Sequence, residues 1–170
     1  AATIKKPVAG AAGLDRQAVP RIERGQAAPF EVPRVPMSLE SVRRFLAEKA
    51  PDIAIVETEA SSATVPLAAA AHGVAPGQIA KTLSLRVGDR GVLAVTRGDA
   101  RISNQKARAA LGGKPRMLGP DEVAAITGHP VGGVCPFGLA SPLPVYCDVS
   151  LKDFDMVVPA AGSTHSSLFI

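Results

Sequence analysis

The stretch Ile79–Val87 constrains this chain more than any other. Ile79, Leu83, Leu85 and Val87 share one face under the two-residue alternation of a β-strand. Gly88-Asp89-Arg90-Gly91 follows as a hairpin loop, and Val92 to Thr96 returns as the partner strand. Lys81 stands in the same apolar row. A buried ammonium without a partner costs free energy. Lys81 therefore snorkels to solvent, pairs with an acid, or faces a cavity as a fixed cation able to hold a phosphate or a developing negative charge.

Helices and further strands surround this hairpin. Leu39, Val42, Phe45 and Leu46 recur at helical spacing after Ser38, a candidate N-cap, and Pro51 ends that helix. Ile53 to Glu57 reads as a strand. Ser62 or Thr64 can cap a short helix that carries Pro66 in its first turn and stops at Gly73. Ser103 caps a helix through Leu111, which ends at Gly112-Gly113. Arg116 to Leu118 is a short strand, and Pro120-Asp121-Glu122 opens a helix that Gly128 ends. Pro144 to Asp148, Met156 to Pro159 and the closing Leu168-Phe169-Ile170 are further strands. The mixture lacks a βαβ rhythm. It predicts an α+β fold around a largely antiparallel sheet.

Residues 1–36 differ from the rest. They carry five prolines and no apolar period, and Met37 follows at once. We read Met37 as the natural start, with the preceding residues an appended leader or tail outside the core, and residues 37–170 as one domain. No apolar run approaches the roughly 18 residues of a membrane span. Two cysteines, Cys135 and Cys147, make neither a disulfide framework nor metal-site spacing, which suits a reduced, cytoplasmic setting. Charge is uneven: residues 81–116 carry nine basic and two acidic residues, against a net +4 for the whole chain. Such a segment is either a solvated face or a local binding surface for phosphates.

The second informative stretch is Val131-Gly132-Gly133-Val134-Cys135-Pro136-Phe137-Gly138. Its glycines and proline leave little room for regular structure, so it is a tight loop or a shaped backbone surface. Cys135 has no basic neighbour in sequence to activate it as a nucleophile. His165 lies among the hydroxyls of Ser163-Thr164-His165-Ser166-Ser167 without a nucleophile-elbow pattern. His72 and His129 adjoin helix-ending or proline positions and read as structural. There is no P-loop, dinucleotide fingerprint or zinc spacing.

Gln78-Ile79-Ala80-Lys81-Thr82-Leu83, followed about fifty residues later by the Val131–Gly138 stretch, resembles the YbaK / prolyl-tRNA synthetase editing-domain family. Gly73 to Gln78 and the ending Ala161-Gly162-Ser163 agree with that likeness, which spans Ser38 to Ile170. The resemblance implies a bent, mostly antiparallel mixed sheet with a barrel-like core and flanking helices. It also implies hydrolysis of mischarged aminoacyl-tRNA, without metal or cofactor. The substrate would carry a small amino acid such as Ala, Cys, Ser or Thr, on tRNA-Pro or a related tRNA, and an aminoacyl-tRNA synthetase is a possible partner. It makes Lys81 the residue that holds the 3′-terminal adenosine and its phosphate. Gly132, Gly133, Val134, Cys135 and Pro136 become the loop that positions the ester carbonyl. Thr64 falls near a position lining the amino-acid pocket. Ser163, His165 and Ser167 fall at the substrate, with Ser167 where some members have an aspartate. Thr82 stands where the alanine-specific branch has asparagine.

An aminoacyl ester is already activated. Its hydrolysis needs a placed water and oxyanion donors, each worth about 3 kcal/mol, and the resemblance assigns water orientation to the substrate's own ribose hydroxyl. Family members usually continue past the Ser/His segment into a last helix, so the resemblance implies either a shortened chain or an incomplete sequence, and a missing helix would leave part of the sheet uncovered. Two other readings stand beside this one: a non-catalytic tRNA- or synthetase-binding module of the same fold, and a small-molecule hydrolase using Cys135.

Overall fold

The structure, a computed structural model, describes residues 38–170. The expected tail at 1–36 and the start at Met37 lie outside the described residues. In chain order the elements are α1 (Leu39–Lys49), β1 (Ile55–Glu57), α2 (Val65–His72), β2 (Ile79–Val87), β3 (Arg90–Arg97), α3 (Asn104–Leu111), β4 (Arg116–Met117), α4 (Pro120–Thr127), β5 (Val145–Cys147), β6 (Val158–Pro159) and β7 (Ser166–Leu168). Two 3₁₀ turns, Pro76–Gln78 and Val149–Asp153, complete the set.

Local chemistry sets most of the helix ends. Thr64 Oγ1 accepts from the Leu67 N–H at the start of α2 (3.4 Å), and Ser103 Oγ accepts from Lys106 N–H at the start of α3 (3.4 Å). Gly73, Gly112 and Gly128 stop α2, α3 and α4 in the left-handed region. Ser38 precedes α1 without a side-chain cap of its own. The hairpin is tighter than its sequence suggested. Only Gly88 and Asp89 turn, with Gly88 at φ +58°, while Arg90 and Gly91 belong to β3. A glycine with positive φ at the first turn position suits the right-handed twist of the flanking strands.

The main sheet runs β4-β2-β3-β5, with β6 also on β2. β2 pairs antiparallel with β3 and β4, whereas β6 on β2 and β5 on β3 run parallel. β1 and β7 form a second, antiparallel pair, tied to the end of β6 by the Ala160–Ser167 bridge. The α+β class and the mixed, mainly antiparallel sheet follow the expectation. On one face of the hairpin, Leu85, Val87, Val92 and Ala94 pack against Ala107 and Leu111 of α3 and against Tyr146. On the other, Leu93 packs with Leu118, Val123 and Val134. α1 buries Val42 and Leu46 against Cys135, Ala161 and Leu168. α2 sets Ala68 and Ala69 on Ile79 and Val158. These two helix contacts bring the loops at 62–64, 132–134 and 160–167 to one edge of β2.

Candidate functional site

That edge is incomplete. The hairpin closes on the Val87–Arg90 pair, so odd-numbered residues of β2 turn their main-chain polar groups toward β3 and even-numbered ones turn them away. On the far side β6 takes Ile79 and Ala80, and β4 takes Leu85 and Arg86. The Leu118 N–H donates to the Ser84 carbonyl (3.1 Å). Between them, on the side of β2 away from β3, no strand among the described residues pairs with Thr82. Its N–H and C=O face a gap in the sheet. Its Oγ1 is also buried without a hydrogen-bond partner.

A cavity of about 220 Å³ opens at this gap. β2 contributes Lys81, Thr82 and Leu83 to its wall, and the loop before α2 contributes Ser62, Ala63 and Thr64. Gly132 and Val134 form another side, and Val158, Ala160 and Ser167 close it. Lys81 is the one titratable side chain in this wall.

Lys81 faces the cavity and is held by carbonyls rather than by an acid. Its Nζ donates to the Gly98 oxygen (2.9 Å) and the Ala100 oxygen (2.6 Å). An ammonium has three donors, so one remains for a ligand. Burial lowers the Lys81 pKa, and the charge of Asp99 partly opposes this. Asp99 is fixed by Arg97, whose Nε and Nη2 donate to its two oxygens (2.7 and 2.9 Å). Arg97 also lies over the Phe154 ring at 4.9 Å. Gly98 is required for this arrangement, since a Cβ there would meet the Pro76 oxygen at 2.2 Å.

The glycine-proline stretch divides between two sides. Gly132, at φ +89°, lines the cavity against Ala63. The Gly133 N–H is spent on the Pro130 oxygen (2.9 Å), and its carbonyl accepts from the Gly162 N–H (3.0 Å). A Cβ at Gly133 would sit 2.8 Å from the Ser163 backbone, so this glycine permits two loops to touch. Of this stretch, the N–H groups of Gly132 and Val134 are the ones that can serve the cavity. Cys135 points away into the α1 cluster, fully buried. Its Sγ is 3.7 Å from His129 Nε2, and that nitrogen lies 2.9 Å from the Phe137 carbonyl it binds. Burial pushes the Cys135 thiol up to about 12, a protonated, unreactive state at neutral pH. Pro136 lines a separate apolar cavity of about 870 Å³ beside Phe45 and Phe137.

Among the sequence candidates, the structure thus brings together Lys81, Gly132, Val134, Thr64 and Ser167. The Thr64 hydroxyl is already engaged in capping α2. Gly133, Cys135, Pro136, Ser163 and His165 are not in the cavity wall. Ser163 Oγ donates to Ser166 Oγ (2.8 Å), and the His165 Nδ1 pairs with Thr164 Oγ1 (3.0 Å), in a hydroxyl network that shapes the loop. The sequence reading missed the open edge at Thr82 and the close approach of Ala63. Neither had a local signal, because both depend on where distant segments end. Cys135 and Cys147 are both free. Among the described residues no three His, Cys, Asp or Glu side chains gather as a metal site, and no helix is long and apolar enough to cross a membrane.

The fold is thus a mixed α+β domain whose candidate site is a small cavity at a broken sheet edge, walled by one cation, hydroxyls and main chain. The chain belongs to the aminoacyl-tRNA editing domain family, whose profile matches residues 59–170. It is 51% identical over 133 residues to the uncharacterized protein YwhH of Bacillus subtilis (strain 168), covering 78% of this chain and 85% of that one. It is 35% identical over 101 residues to the proline–tRNA ligase of Geobacter sp. (strain M21), covering 59% of this chain but only 18% of that enzyme. Among solved structures, a candidate trans-editing enzyme for prolyl tRNA synthetase superposes with a TM-score of 0.73 at 31% identity, covering 85% of this chain and 88% of that one.

Proposed function

We propose that this protein is a trans-acting aminoacyl-tRNA deacylase of the cytoplasm that hydrolyses the ester of a mischarged tRNA carrying a small amino acid, on tRNA-Pro or a related tRNA. The observation that carries this reading is the cavity wall: one cation, main-chain donors and hydroxyls, and no carboxylate or imidazole. That set cannot deprotonate a poor nucleophile, but an aminoacyl ester does not require it. Water adds to the ester carbon, the oxyanion collapses, and the C–O bond to the ribose breaks to release amino acid and tRNA. The N–H groups of Gly132 and Val134 serve the oxyanion, at about 3 kcal/mol for each donor lost. The third Lys81 donor holds the terminal phosphate or ribose of the acceptor end. The open edge of Thr82 offers a carbonyl to the α-ammonium group and an N–H to the ester. The ribose hydroxyl next to the ester orients the water.

A cavity this size favours small side chains, and apolar walls separate neighbours by about 1–3 kcal/mol per methylene. Ser167, buried in the wall, favours the second reading of a binding module, because it puts a hydroxyl where the resemblance leads one to expect an acid. One screen tests both. Alanyl-, cysteinyl-, seryl- and threonyl-tRNA are incubated with the protein, with and without a cognate synthetase as partner. Turnover of at least one, lost in Lys81→Ala, is the expected result. Binding without turnover of any would replace the deacylase with the module.

A further inference from the structure

The basic segment 81–116 does not spread evenly over the molecule. Its far end gathers around a groove of about 780 Å³ between the Gly88-Asp89 turn and residues 112–116. Arg86, Arg90, Lys114 and Arg116 line it, with Asp89 the one acid. Arg86 of β2 and Arg116 of β4 are direct partners in the antiparallel register, so their side chains leave the same face of the sheet. Like charges placed directly opposite destabilise a sheet. Glu122 answers Arg86 and Arg90 reaches the Leu111 carbonyl (3.4 Å). Lys114 and Arg116 are exposed and have no protein partner among the described residues. A single charge is enough to protect a two-residue edge strand from unwanted pairing. Three further cations around it, one in register with it, exceed that need and leave positive charge for an anionic partner.

The groove lies on the same edge of β2 as the cavity. Arg86 follows Lys81 by five residues on one strand, roughly 17 Å at the strand rise. A polymer whose reacting end enters at Thr82 would run along this edge past β4. We propose that the groove formed by Arg86, Arg90, Lys114 and Arg116 binds the phosphate backbone of RNA behind the reacting 3′ end, and so sets affinity for the nucleic acid separately from the chemistry. This rests on the deacylase reading for what occupies the cavity. The groove itself is argued from charge and register alone.

The test uses the double variant Lys114→Glu/Arg116→Glu, with Lys114→Gln/Arg116→Gln as a milder second pair. Both positions are exposed and outside the cavity wall. Binding of uncharged tRNA is followed by fluorescence anisotropy between 50 and 200 mM KCl. The expected result is an affinity loss on the order of tenfold at the lower salt, and a salt slope shallower by about two, one for each phosphate contact removed. Hydrolysis is measured on full aminoacyl-tRNA and on a short 3′-aminoacylated trinucleotide. The variants should lose kcat/KM on the former only. Unchanged tRNA affinity and salt slope would overturn the groove, as would an equal loss on the trinucleotide. A wild type that hydrolyses neither substrate, yet binds tRNA through Lys114 and Arg116, would remove the deacylase reading and leave the groove standing.

Discussion

Gly132 presses its α-carbon against Ala63 so closely that a Cβ on it would lie 2.9 Å from the Ala63 Cβ and 3.1 Å from the Ala63 carbonyl oxygen. Its φ of +89° is also one that L side chains rarely adopt. Gly132→Ala should therefore cost about 1–3 kcal/mol in backbone strain. It should also cut deacylation on the order of 100-fold by displacing the cavity's donors. Ala63→Gly in the same chain removes one of the two clashing carbons. Melting curves and kcat/KM for the four members of this double-mutant cycle should show partial recovery in the pair.

Lys81 is tied to two carbonyls with a point-like ammonium, a geometry a planar guanidinium does not reproduce. Lys81→Ala should lose about 100- to 1,000-fold in activity while its circular dichroism stays native. Lys81→Arg should not restore the rate. Because burial lowers the Lys81 pKa, the cation is lost at a pH below the ordinary lysine value of about 10.4. The enzyme-dependent rate, corrected for spontaneous ester hydrolysis, should decline on that alkaline limb. Asp99→Asn removes the charge that raises this pKa, so it should move the limb to lower pH.

Thr82 carries a buried hydroxyl with no partner. An unsatisfied group of this kind costs about 1–3 kcal/mol. Thr82→Val keeps the shape and removes the hydroxyl. The urea midpoint should rise, by about 1 kcal/mol of stability, and a higher KM for the substrate would place the hydroxyl on the ligand. A variant that is more stable and equally active would show that the hydroxyl never meets the ligand.

His129 is buried and neutral, and burial lowers its pKa. A depressed histidine contributes stability that is complete above its unfolded value of about 6.5 and is lost as the pH falls through the folded value. Urea titrations between pH 8 and 5 should show the midpoint falling on the acid side. His129→Gln, which keeps a donor for the Phe137 carbonyl without titrating, should flatten that fall in part. His72, lowered in the same way, retains the remainder.

The Cys135 thiol, raised to about 12 and sealed beneath α1, should resist iodoacetamide in the native protein. Mass spectrometry should find one label, on the exposed Cys147, and two after denaturation. Activity unchanged by the single label would exclude Cys147 as a nucleophile, and an active Cys135→Ala variant would exclude Cys135.

The parts of this molecule that were legible in its sequence are those fixed by neighbours along the chain. Ile79–Val87 was readable as a strand to the residue, because alternation and the Gly88-Asp89 turn are local. Ser103, Gly112, Pro120 and Gly128 mark helix ends for the same reason. β6 is two residues long and pairs parallel to β2, and β5 pairs parallel to β3; nothing within either segment specifies those partners. The cavity depends on them, since it exists only where β6 stops and β4 has not begun. The same limit explains Cys135. Its place beside Gly132 and Pro136 put it at the site by position in the chain, whereas the loop turns it to the opposite side, onto His129.

The gap at Thr82 also bears on how such a domain can change over time. A hydrogen bond offered by main chain survives any substitution that keeps the strand. The walls around it, at Ala63, Val65, Ala160 and Ser167, are side chains and free to drift. Ester handling would thus be inherited with the hairpin, while the choice of amino acid is left to a few replaceable positions. New specificities could arise without rebuilding the chemistry.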